Sequence, residues 1–77
     1  MKEPIMATLK PVCLVKQVRE AKGIQQKDLA ERVGMIAHQL SRYENGHELP
    51  HITNLCRLAA ALDVSIADLI EYGVNHD

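Results

Sequence analysis

Seventy-seven residues, 47% of them hydrophobic and 25% charged, make one small domain with one small core and leave no room for a second. Two tyrosines are the only aromatic residues, so that core is aliphatic, and a net charge of −1 excludes a strongly basic protein that grips nucleic acid by charge alone. No apolar run is long enough to span a bilayer, the first residues show no signal-peptide pattern, and two cysteines without metal-type spacing predict reduced thiols in a cytoplasmic protein.

Residues 1–10 predict no helix. Pro4 and Pro11 bracket Ile5, Met6, Thr8 and Leu9, and the stretch reads as an N-terminal arm, either frayed or extended across a dimer. Pro11 suits the first turn of a helix, which is expected to run from 11 to 22 and to stop at Gly23. Val12, Val15 and Val18 recur every third residue and are assigned to the core, with Cys13 and Leu14 falling to the side. A second helix is expected over 26–33, with Leu29, Ala30 and Val33 on its apolar face. Gln25 is a weak cap for it, partly offset by Asp28 near the positive helix end.

Gly34 ends that helix, since it takes the left-handed conformation at little steric cost. A third helix follows over 37–45 after a link of about three residues, with Leu40 and Tyr43 inward. So short a link forces the two helices to cross steeply. Residues 26–45 therefore read as a helix-turn-helix, whose second helix can enter a DNA major groove.

Gly46 closes the third helix and opens the turn that ends at Pro50. A fourth helix is expected over 52–62, with Ile52, Leu55, Leu58, Ala59 and Leu62 as its core stripe. Asp63 and Val64 form a link. Ser65 then caps a fifth helix, with Asp68 three residues on in an acidic variant of the capping box, and Ile66, Leu69 and Ile70 packing back. Gly73 ends it, leaving 73–77 as a tail. The domain proper is thus 11–72. The charge is uneven: residues 19–47 hold five Arg/Lys against four Asp/Glu, while 63–77 hold four acids and no Lys or Arg.

The pattern Q-x-x-L-A-x-x-x-G from Gln26, then L-S-R-Y-E-N-G from Leu40, then Pro50, then L-x-x-L-A-x-A-L-x-V-S from Leu55 resembles the phage repressor/Cro-type helix-turn-helix (XRE) family. The joint spacing makes the resemblance, and it runs from about Val12 to Ile70. It implies an all-α, five-helix, lambda repressor-like domain. It also implies that Arg19 pairs with Glu44, tying the first helix to the end of the third, and that Gln26 hydrogen-bonds a DNA phosphate. Carried over by position, Ala37, His38 and Arg42 are base readers, with Gln39 and Ser41 beside them. Arg42 suits guanine O6 and N7, Gln39 suits adenine or a phosphate, and Ala37 suits a thymine methyl. Leu62, Val64, Ile70 and Tyr72 fall where the family often forms its dimer seam. One departure stands out: Ile36 occupies the N-cap position where the family uses Ser or Thr, so either Ile36 packs inward or the third helix starts with unsatisfied amides.

Beyond the resemblance, Asn45 and His47 follow the third helix where phosphate would pass, and Thr53 and Asn54 start the fourth helix, where side chains and amides suit an anion. Ser41 joins this phosphate set. Glu48 would repel it. No glycine-rich phosphate loop, HExxH motif or carboxylate pair suggests an enzyme. His47, His51 and Cys56 fit no common zinc spacing, so neither a metal nor a cofactor is expected. The expected function is a DNA-binding transcriptional regulator, a repressor acting as a homodimer on a palindromic operator of double-stranded DNA. The rival is an antitoxin or protein-interaction adaptor on the same fold, with a toxin or antirepressor as its small protein partner. The rival is motivated by the near-neutral charge, by Ile36 at the cap position and by the two terminal extensions.

Overall fold

In the computed structural model, the backbone is described for residues 9–74 and the side chains for 11–71. Strand β1 (Leu9–Cys13) leads into helices α1 (Val15–Ala21), α2 (Gln26–Val33), α3 (Ala37–Glu44) and α4 (Ile52–Leu62). A single 3-10 turn (Ile66–Asp68) and strand β2 (Ile70–Val74) follow. The domain is helical and repressor-like as expected, with the fifth helix reduced to that turn. Residues 1–8 and 75–77 of the expected arm and tail lie outside the described residues.

The first and last elements differ most from expectation. Residues 11–13, expected in the first helix, instead belong to β1, which pairs antiparallel with β2: Leu9 faces Val74, Pro11 faces Tyr72 and Cys13 faces Ile70. Val12 and Cys13 on one strand, and Ile70, Tyr72 and Val74 on the other, are residue types that fit a pleated surface. Pro11 is tolerated because it sits on an edge strand. Val12 is therefore not a core residue but an exposed one, and α1 begins at Val15, which is fully buried.

Four helices pack around Val15, Leu29, Ala30, Val33, Leu40, Tyr43, Leu55, Leu58, Ala59, Leu62 and Leu69. Their spacing follows the helical period, so each helix turns one stripe inward. Ile52, placed in the core by its spacing, is instead 64% exposed, at the first residue of α4, and the buried stripe of that helix begins at Leu55.

All four helices end in the same closure. The amides of Ile24, Met35, His47 and Val64 bond back to the carbonyls of Arg19, Ala30, Arg42 and Ala59 at 3.1, 2.9, 3.0 and 3.0 Å. Each closure needs one left-handed residue just before the bonding amide. Gly34 supplies it between α2 and α3 with φ +73°. At the end of α4 it is Asp63, with φ +57°, the one non-glycine at positive φ among the described residues. Arg57 Nη1 also reaches the Val33 carbonyl at 3.5 Å, at the end of α2. After α4, the Ser65 amide and hydroxyl both donate to Asp68 Oδ2, at 3.0 and 3.1 Å, which sets the start of the 3-10 turn.

Candidate nucleic-acid interface

The third helix is held from behind by a buried ionic clasp. Arg19 Nε and Nη2 donate to the two carboxylate oxygens of Glu44 at 2.7 and 3.1 Å, a bidentate fork. Gln26 Nε2 donates to the same carboxylate at 3.0 Å, and Arg19 Nη1 donates to the Ile24 carbonyl at 2.8 Å. The Glu44 side chain is 1% exposed. Its hydrogen bond to Arg19 raises the guanidinium pKa above its ordinary value, against the opposing effect of burial. Three elements thus meet at one carboxylate: α1 through Arg19, the start of α2 through Gln26, and the last turn of α3 through Glu44.

A second tie is polar and neutral. Asn54 Nδ2 on α4 donates to the buried Tyr43 hydroxyl at 2.9 Å. Leu40, Tyr43 and Glu44 therefore anchor the inner side of α3. Ala37, His38 and Arg42 lie exposed on its outer side, and Gln39 and Ser41 are half-buried at its flanks.

The residues expected to meet phosphate divide by what they touch. Thr53 and His47 are exposed. Asn45 is exposed and donates through Nδ2 to Ser41 Oγ at 3.1 Å. Gln26 and Asn54 each spend a side-chain hydrogen on the protein itself, on Glu44 and Tyr43, although each amide nitrogen has a second one. Of the proposed dimer residues, Leu62 is 1% exposed and packs in its own core, so it is not a seam residue: presenting it to a partner would open the domain. Val64 and Ile70 are half-buried against that core. The Tyr72 side chain lies outside the described residues.

Two features were not read from the sequence. Arg42 Nε pairs with Glu48 Oε1 at 3.2 Å across the turn after α3, an exposed contact. The signal was present as an acid six residues after the arginine, with Gly46 between them to fold the chain back. The Asn54–Tyr43 bond gave no local signal, because the two residues lie on different helices. Ile36 is 70% exposed, so it does not pack inward, and it offers no side-chain cap to the first amides of α3.

Fold and geometry define a helix-turn-helix domain whose second helix is braced on one side and open on the other. The family model described as HTH_3, helix-turn-helix, matches residues 15–69, and the chain belongs to that family. It is a family of DNA-binding transcriptional regulators and not of enzymes. A curated relative is the cryptic phage CTXphi transcriptional repressor RstR of Vibrio cholerae serotype O1, 35% identical over 51 residues. That alignment covers 66% of this chain, and the chain spans only 46% of the relative's length. Among solved structures, the master regulator for biofilm formation SinR in complex with DNA superposes with a TM-score of 0.65 at 37% identity, covering 69% of this chain and 86% of that one. The SinR protein/SinI protein complex superposes with a TM-score of 0.65 at 36% identity, over 70% of this chain and 53% of that one.

Proposed function

We propose that this chain is a sequence-specific DNA-binding transcriptional repressor, cytoplasmic, that acts as a homodimer on a palindromic operator. Each copy lays α3 in a major groove, and half-sites lie about one helical turn apart. The observation that supports this reading is the division of α3 into a fastened side and an exposed side that bears Ala37, His38 and Arg42. Arg42 reads guanine, His38 and Gln39 read neighbouring base edges, and Ala37 meets a thymine methyl. Gln26, Ser41, Asn45, His47, Thr53 and Asn54 fix the register on the backbone through hydrogens or oxygens left after their bonds within the protein. The membership in a family of DNA-binding regulators and the likeness to a repressor and to SinR bound to DNA support it from outside the chain. Among the described residues, no helix is long and apolar enough to cross a membrane.

The test is Arg42→Ala against an operator selected from random duplexes. Binding to the selected site should fall by about 1–3 kcal/mol, and binding to scrambled DNA by much less. An equal loss on both would remove Arg42 as a base reader.

A second reading is favoured by one comparison: SinR is also solved in a complex with the protein SinI. On that reading a small protein partner, a toxin or an antirepressor, regulates this domain. Purified protein that binds no duplex at low salt, yet co-purifies with a small neighbour, would favour the partner over the operator.

A further inference from the structure

We propose that a second copy of this chain pairs with the outer edge of β2, antiparallel and centred on Tyr72. The result is a four-stranded sheet ordered β1-β2-β2-β1 across a two-fold axis. The inference deepens the homodimer reading above and rests on it. Its basis is the phase of the ladder.

The Leu14 amide donates to the Leu69 carbonyl at 2.7 Å, and this pair continues the register in which Cys13 faces Ile70 and Val12 faces Glu71. A trans peptide turns its carbonyl away from its amide hydrogen, and no peptide among the described residues is cis. The Cys13 carbonyl and the Ile70 amide therefore point out of the ribbon. Alternation along an antiparallel pair then turns the backbone groups of Lys10, Val12, Glu71 and Gly73 inward. It turns those of Leu9, Pro11 and Cys13, and of Ile70, Tyr72 and Val74, outward.

The two outer edges are not equivalent. The edge of β1 has Pro11 at its centre, whose ring nitrogen has no hydrogen to donate. The edge of β2 has Ile70, Tyr72 and Val74, each with a donor and an acceptor. Among the described residues the sheet has two strands, and a lone two-stranded ribbon is marginal in water. An open strand edge is a template for another strand, and here only one of the two edges is intact.

The occupant is a second copy because this edge is its own complement. Its outward residues carry even numbers, so self-pairing must set even against even. In the centred register Tyr72 lies opposite Tyr72 of the second copy, Ile70 opposite Val74, and Val74 opposite Ile70. All three outward residues engage at once, and the contact is isologous. Slipping the register so that Tyr72 meets Ile70 leaves Val74 unpaired and sets Glu71 directly opposite Glu71, a like-charge pair that destabilises a sheet. In the centred register Glu71 instead faces Gly73 of the second copy, which carries no charge.

The test uses the full chain without DNA. Sedimentation equilibrium over a wide concentration range measures assembly, and amide exchange by NMR reads the edge. Wild type should dimerise, with the amides of Ile70, Tyr72 and Val74 becoming protected as concentration rises and those of Val12, Glu71 and Gly73 unchanged. Tyr72→Pro should raise the dissociation constant by about tenfold or more, the equivalent of ~1.4 kcal/mol, because it removes an outward amide and leaves the β1–β2 ladder its inward ones. Should the proline disturb the ribbon itself, loss of protection at Val12, Glu71 and Gly73 will show it, and the concentration dependence of protection at Ile70, Tyr72 and Val74 in the wild type then decides. A monomeric wild type, or a dimer in which the three outward amides exchange freely, would overturn the proposal. A dimer indifferent to Tyr72→Pro with its ribbon intact would overturn this edge and leave the homodimer reading standing. An intact dimer that ignores DNA sequence would do the reverse, sinking the operator reading and sparing the seam.

Discussion

The Glu44 carboxylate accepts hydrogen bonds from two guanidinium nitrogens and one side-chain amide while almost wholly removed from water. Removing one member of a buried pair leaves an uncompensated charge, which costs about 3–5 kcal/mol. Arg19→Met should therefore lower the urea midpoint sharply, since this cost approaches the whole stability of so small a domain. A double variant Arg19→Met/Glu44→Leu should recover much of the loss. Because the folded guanidinium pKa lies above its ordinary value, this contribution is fully present below that ordinary value and disappears only in stronger alkali. Cys13 behaves differently in the accessible range. Burial raises its thiol pKa, so its contribution is present below the ordinary thiol value and is lost as pH rises through the folded one. Melting temperature should decline above about pH 8.5, and Cys13→Ala should flatten that alkaline limb. Arg19 and Glu44 were legible as a pair only through the family pattern, since 25 residues separate them and no local rule links them.

At the scale of elements, α3 starts without a side-chain cap although it is the helix of interest. Ile36→Ser would supply an oxygen for the first amides at little loss of buried surface, because Ile36 is largely exposed. The expected gain is about 1 kcal/mol, read as a higher urea midpoint. The four helices were legible because Leu, Val and Ala recur at the helical period and glycines punctuate three of the ends. The ribbon was not. Pro11 reads equally as a first-turn residue of a helix or as an edge-strand residue, and the deciding partner, Tyr72, lies about sixty residues on. The fifth helix failed for a related reason. Ser65 and Asp68 are a sound start signal, but Ile70, Glu71, Tyr72, Gly73 and Val74 are recruited by β1 after one turn.

For the whole molecule, the governing quantity is a net charge of −1 facing a polyanion. Glu48 concentrates that difficulty, because it neutralises Arg42 on the exposed side of the domain. Glu48→Gln should free the guanidinium and remove a repulsion, tightening operator binding by about five-fold at low salt, the equivalent of ~1 kcal/mol between unit charges 4 Å apart in water. The gain should shrink as salt rises, and stability should change little, since an exposed pair contributes little. A fluorescence-anisotropy titration at two salt concentrations checks both parts. The placement of Leu40, Tyr43 and Glu44 on one side of α3, and of Ala37, His38 and Arg42 on the other, has a consequence for how such a chain diversifies. Fastening and vocabulary are written in different letters of the same eight-residue word. Descendants of this gene can therefore exchange the outer letters, acquire new targets and escape cross-talk with their siblings, while the scaffold beneath them goes on folding as before.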